Sequence, residues 1–133
     1  GDLTAGIYCG TGHPLFKKRK LKAEQVLEHD FSVPQSGANG RVQDGWPVDI
    51  ERKIGMRITM LSTNLAVCLS GQFVTVLPDV VARKHLQAKE LKKLPLDVID
   101  PIPVYGARRK SDGENMPSAV VLKAIAEELK ALA

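Results

Sequence analysis

Along the first third of the chain, apolar runs are short and each is closed by a turn signal. Leu3 to Cys9 reads as an extended strand, ended by Gly10-Thr11-Gly12-His13-Pro14. A short helix is predicted over about Lys22 to Glu28, with Val26 and Leu27 inward and with Lys20 and Lys22 as poor N-caps. Phe31 to Val33 forms the next strand, stopped by Pro34. Residues 35–55 have no clear period. Their first half is rich in Gly, Ser and Asn and reads as a loop. In the second half Val48, Ile50 and Ile54 alternate, yet Pro47 suits a first helical turn equally well, so both readings stay open.

The pattern then sharpens. Met56, Ile58 and Met60 alternate with Arg57 and Thr59, which predicts a strand with one buried face. Ser62 suits an N-cap, and Leu65, Ala66, Cys68 and Leu69 form a helix-spaced stripe ended by Gly71. Phe73 to Leu77 is almost wholly apolar, as in a strand buried on both faces. Pro78 opens a further helix, with Asp79 at its positive end and Arg83, Lys84 and His85 at its negative end. Strand, helix and buried strand make a βαβ unit, with parallel strands and a right-handed crossover. The fold class is α/β.

Farther on, Leu94 to Ile99 and Val104 to Ala107 read as extended, and Pro95, Pro101 and Pro103 place them at edges or crossings. Ser111 to Asn115 is a turn. A terminal helix over about Pro117 to Leu132 aligns Val121, Leu122, Ile125, Leu129 and Leu132, a face with no evident partner in so short a chain.

Length and composition limit the function classes. The 133 residues fit one compact domain, and 44% hydrophobic with 26% charged residues is an ordinary globular balance. No apolar run reaches the roughly 18 residues of a membrane span, and no secretory signal opens the chain. It enters a strand almost at once, so it is expected to begin inside a longer protein. The net charge of +4 is scattered except at Lys17-Lys18-Arg19-Lys20. That run reads as a solvated turn, with a nucleic-acid contact as the rival, since no aromatic or glycine pattern of a nucleic-acid module accompanies it. Cys9 and Cys68 lie in apolar contexts without metal spacing, as reduced core thiols of a cytoplasmic protein.

Catalytic chemistry finds little support. His13, His29 and His85 fall in separate segments, and no hydrolase elbow, phosphate loop or dinucleotide fingerprint is present. Cys9 and His13 supply two of the three or four ligands that a metal needs, so neither metal nor cofactor is expected. His13 reads as bonding nearby backbone in a turn fixed by Pro14, and Trp46 as a cover over its loop in preference to a ligand platform. Binding is better supported. The carboxyl ends of the strands carry Pro34-Gln35-Ser36-Gly37, Ser62-Thr63-Asn64 and Pro78-Asp79. At Ser62-Thr63-Asn64 a helix N-terminus beside two hydroxyls and an amide suits a carboxylate or other small anion. Ser62 as a simple cap, with Thr63 and Asn64 facing water, fits the spacing equally well.

These segments resemble one family. Ile7 to Phe16 closely resembles the strand and "gHPL" turn that open the second lobe of the effector domain in LysR-type transcription regulators. Leu21 to Leu27 is similar to that family's "leeL" helix, and Phe31-Ser32-Val33-Pro34 to its next strand. Leu61 to Asp79 looks like its strand-helix-strand block ending in "LP". Tyr105 to Lys110 and the terminal helix resemble its closing strand and helix. The resemblance implies a lobe of the type-2 periplasmic-binding-protein-like fold, plus a C-terminal return strand and helix. Residues 1–109 would be the second lobe with its hinge strands, near Leu3 to Tyr8 and Val104 to Arg108. Residues 110–133 would be a return helix belonging to the first lobe. It further implies a small-molecule effector held between lobes by Pro34, Gln35, Ser36, Ser62, Thr63 and Asn64. Promoter DNA would be bound only through an N-terminal helix-turn-helix missing from this sequence, and the full regulator would be a homo-oligomer. The chain departs from the family in lacking that domain, the linker helix and most of the first lobe, and in having no clear helix over Pro47 to Gly55. The rival readings are a lobe of a periplasmic solute-binding protein and a small α/β enzyme using Ser62 or His13.

Overall fold

The computed structural model describes residues 1–109, 113 and 116–132. These fall into two compact units. The larger spans Thr4–Pro101, and the smaller joins Gly1–Leu3 to the chain from Ile102 onward.

The larger unit is a mixed five-stranded sheet with helices. Three strands, β3 (Asp30–Val33), β4 (Lys53–Arg57) and β5 (Val74–Pro78), run parallel, with β3 central among them. Strand β2 (Ala5–Gly10) is antiparallel to β5 on one side and to β6 (Leu91–Lys93) on the other. The order across the sheet is therefore β4-β3-β5-β2-β6. The expected βαβ unit is present as β4, α2 (Leu61–Leu69) and β5, with β3 inserted between its two parallel strands. Helices α1 (Ala23–Leu27) and α3 (Asp79–Gln87) complete the unit.

Period-two alternation sends side chains to both sheet faces. One face packs Ile7, Cys9, Phe31, Val33, Val74 and Val76 with Leu15, Val26 and Leu94. The other packs Tyr8 and Leu77 against Cys68, Ala82 and Leu91. Strand β5 is buried on both sides, as its apolar run predicts. Gly71 ends α2 with φ of +77°, and a Cβ there would lie 2.8 Å from the backbone of Gly12.

Four strands differ from expectation. The first is broken at Thr4, whose carbonyl accepts the Asp79 amide at 2.9 Å where β5 gives way to α3. Asp2–Leu3 (β1) pairs instead with Ile102–Pro103 (β7) in the smaller unit. Strand β4 ends at Arg57, before most of the alternating Met56–Met60 set, and it is an edge strand with every residue exposed. Of that set only Ile58 is buried. Residues 94–99 follow β6 instead of forming a strand, since Pro95 ends the ladder after Leu94 donates to Ile7 at 2.7 Å. Likewise Val104 to Ala107 is no strand.

The smaller unit holds the β1–β7 ribbon and α4 (Pro117–Leu132), whose bounds match the expectation. A groove of about 360 Å³ in this unit is lined by Tyr105, Leu122, Ile125 and Leu129, among others. The predicted Ser111–Asn115 turn lies outside the described residues apart from Gly113.

Candidate functional site

Because β3, β4 and β5 are parallel, their carboxyl ends share one edge of the larger unit, and both groups of predicted site residues emerge there. Pro34 is half-buried, whereas Gln35 and Ser36 are exposed. The Ser36 hydroxyl accepts a hydrogen bond from Arg57 Nη1 at 3.1 Å. Ser62 and Thr63 are also exposed, in the first turn of α2. Ser62 does not cap that helix. Met60 holds the N-cap position, and no side chain caps it. The first free amide to find an intrahelical carbonyl is that of Asn64, bonded to Met60 at 3.0 Å, so the amides of Leu61, Ser62 and Thr63 are open to an acceptor.

Asn64 fits neither sequence reading. It is 2% exposed, and its Oδ1 accepts the Ser32 hydroxyl at 2.7 Å. Ser32 Oγ in turn lies 2.6 Å from Thr75 Oγ1. With the Ser32 hydrogen committed to Asn64, Thr75 donates to Ser32. This relay ties β3, β5 and α2 together directly beneath the helix start. Asn64 therefore forms the floor of the edge and leaves Ser62 and Thr63 to face outward.

Arg57 is the residue that sequence reasoning missed. Alternation marked it only as the solvent face of a strand, yet it ends β4 on the same edge as the open amides of α2. A guanidinium and a helix N-terminus both favour negative charge. The β2–β5–β6 end of the edge has the opposite character. There the Tyr8 hydroxyl donates to Asp79 Oδ1, and Lys93 Nζ donates to both carboxylate oxygens at 3.1 and 3.3 Å. Burial works to raise the Asp79 pKa, but the hydrogen bonds from Tyr8, Thr4 and Lys93 outweigh it and hold the carboxyl below its usual range. Burial, reinforced by Asp79, pushes the Tyr8 phenol up. Gly6 makes room for this cluster, since a Cβ there would sit 2.5 Å from Lys93 Cε. An adjoining pocket of about 450 Å³ adds Asp97 and Asp100 to its lining. Anions are thus favoured at the β3–β4 end and disfavoured at the other.

The remaining polar candidates are structural. His13 Nδ1 accepts the Leu15 amide at 3.2 Å, the backbone bond expected of it. Trp46 covers its loop: Nε1 donates to the Ile50 carbonyl at 2.7 Å, and the ring packs edge-on to Phe31. Burial pushes the Cys9 thiol up to about 11 and the Cys68 thiol up to about 12, so both are protonated and unreactive at neutral pH. Among the described residues, no three His, Cys, Asp or Glu side chains group as a metal site, and no helix is long and apolar enough to cross a membrane.

Comparison with known proteins agrees with this architecture. Residues 2–130 match the family model of the LysR substrate binding domain. No curated protein sequence matches. A solved putative transcriptional regulator from Vibrio parahaemolyticus is similar over 99% of this chain and 63% of its own, at 19% identity and a TM-score of 0.65. The regulatory domain of CrgA, a LysR-type transcriptional regulator from Neisseria meningitidis, is similar over 75% of this chain and 50% of its own, at 13% identity and a TM-score of 0.56. Full-length AphB, the Vibrio cholerae virulence activator, is similar over 76% of this chain and 36% of its own, at 18% identity and a TM-score of 0.51. At these identities the likeness is one of fold, and this chain spans less than two thirds of each. With the family model covering nearly all of it, the chain belongs to the LysR substrate binding domain family.

Proposed function

We propose that this chain senses a small anionic effector for a LysR-type transcriptional regulator, and that the β3–β4 end of the carboxyl edge receives it. The carrying observation is the uncapped α2 N-terminus, with Ser62 and Thr63 exposed on it and Arg57 held by Ser36 on the same edge. Pro34, Gln35 and Ser36 contribute one wall, Ser62 and Thr63 the other, and Asn64 the floor. In this reading residues 1–109 supply the second lobe, 110–133 return to the first, and the effector lies in the cleft between lobes. Its binding alters the lobe angle through the hinges near Leu3 to Tyr8 and Val104 to Arg108, which shifts an equilibrium between two arrangements of the oligomer. Sequence-specific promoter binding belongs to a helix-turn-helix in the rest of the regulator, which acts in the cytoplasm. The small share of full-length AphB that this chain matches, 36%, supports that division. The output is a change of conformation and not turnover.

The test is calorimetric titration of the regulator's complete effector domain with a panel of small carboxylates, followed by Ser62→Ala and Thr63→Ala. Loss of one hydrogen bond to a charged ligand weakens binding about 10- to 100-fold. A carboxylate that binds equally well to the parent and both variants would overturn this placement.

A further inference from the structure

The distribution of charge singles out the opposite edge of the sheet. Lys17, Lys18, Arg19, Lys20 and Lys22 supply five positive charges, while the other 14 basic and 15 acidic residues nearly cancel. All five side chains are exposed, and none has an ion-pair partner among the described residues. The loop that carries them follows β2 and precedes β3. It therefore lies at the end where Gly10 pairs with Leu91, away from Ser62 and Thr63.

A run of unpaired cations normally spreads by self-repulsion, but this one is anchored. The Lys92 ammonium, reaching from β6, donates to the carbonyls of Leu15 and Phe16 at 3.1 Å each and also to that of Lys18. The flanking Phe16 and Leu21 pack into the core. The backbone under the charges is thus fixed before any partner arrives, which lowers the ordering cost of binding.

We propose that the Lys17–Lys22 loop is a second, sequence-independent contact for the phosphate backbone of DNA. The chemistry of the patch selects this partner. Protein interfaces are enriched in aromatic residues and depleted in lysine, and this loop shows the reverse. Surface-bound membrane helices insert apolar side chains beside their charges, and here the neighbouring apolar residues are turned inward. Phosphate needs only cations that can reach it, and such contacts position a protein without reading bases. In a regulator, the loop would hold DNA against the sensing domain while the effector edge stays open. Only that consequence rests on the regulator reading, and DNA binding by the chain itself does not.

The experiment is fluorescence anisotropy of the 133-residue chain with a labelled duplex of arbitrary sequence, about 20 base pairs long, across a salt series. Neutralising about four phosphates predicts a slope of log K against log salt near −3.6, or roughly a hundredfold loss between about 50 and 200 mM salt. The variant K17Q/K18Q/R19Q/K20Q abolishes the slope, and K84Q/K123Q, which removes cations elsewhere, leaves most of it. Circular dichroism shows that each variant is folded. Equal binding by parent and quadruple variant overturns the proposal, as does no binding at low salt. Binding to anionic vesicles in preference to the duplex also overturns it. None of these failures bears on the carboxylate titration, which reads the other edge.

Discussion

The His13 imidazole is 4% exposed, accepts a backbone amide, and meets His29 with ring centroids 4.7 Å apart. Burial first, and the neighbouring His29 second, lower its pKa from 6.5 to about 4. In the unfolded chain the ring takes up a proton near pH 6.5, whereas the folded chain refuses it until about pH 4. Between those values the unfolded state binds more protons, so the stability that His13 contributes is complete above pH 6.5 and is lost as pH falls towards 4. The expected loss is about 2 kcal/mol at pH 4.5 relative to pH 7. Urea unfolding at the two pH values measures it, with His13→Asn as reference, since an amide oxygen can replace Nδ1 as acceptor without titrating. The difference between the pH responses of the two proteins isolates the histidine together with its coupling to His29. Equal responses would mean that the ring takes up its proton at the same pH folded and unfolded, as a solvated imidazole does.

At the scale of elements, the seating of α2 on β2 depends on Gly10. A Cβ there would fall 2.4 Å from the Cys68 carbonyl oxygen and 2.7 Å from that of Leu69. Both are backbone atoms, so relief requires the helix end to move. Gly10→Ala is expected to cost about 1–3 kcal/mol or more. Gly12→Ala, whose nearest contact would be an ordinary 3.5 Å, is expected to be close to neutral. Equal denaturation midpoints for the two variants would show that the helix end is not held there. The same helix shows why part of the site was legible. Its glycine stop and β5 follow from local pattern, because apolar spacing and backbone preference agree there, whereas its start does not, since Met60 and not Ser62 holds the N-cap. Its buried stripe, however, runs through Asn64 and Cys68. A polar residue satisfied by Ser32 occupies a core position, so the apolar reading shifted the inward face and left Asn64 pointing outward. Residues 35–55 failed for a related reason. Their organiser is a buried ion pair: Arg52 Nη1 meets Asp44 Oδ2 at 2.7 Å, with the guanidinium 4.5 Å from the Trp46 ring. Such a pair holds a loop by long-range geometry and leaves no periodic trace. Arg57 was hidden likewise, since its role comes from the strand edge it shares with α2.

For the whole molecule, stability is concentrated in one unit. Among the described residues, every buried apolar side chain lies between Ile7 and Leu94, within Thr4–Pro101. The smaller unit offers a two-stranded ribbon and one helix, and α4 leaves Val120, Val121 and Ile125 62%, 55% and 49% exposed. Neither a two-stranded ribbon nor a single helix of this length is stable alone in water. Amides of α4 are therefore expected to exchange with solvent through local opening, at least a hundredfold faster than those of β2 and β5, which require global unfolding. Hydrogen exchange read by mass spectrometry on peptides from each segment measures this in the 133-residue chain. Repeating it in the full regulator separates two accounts of the exposed helix face. If residues 110–133 return to the first lobe, as proposed, α4 becomes protected to the level of β5 while β2 and β5 change little. If α4 exchanges equally fast in both proteins, its apolar face is not a lobe contact and the assignment of the C-terminal segment fails. Slow exchange of α4 already in the 133-residue chain would contradict the concentration of stability itself, and would point to a partner for that face in this chain alone.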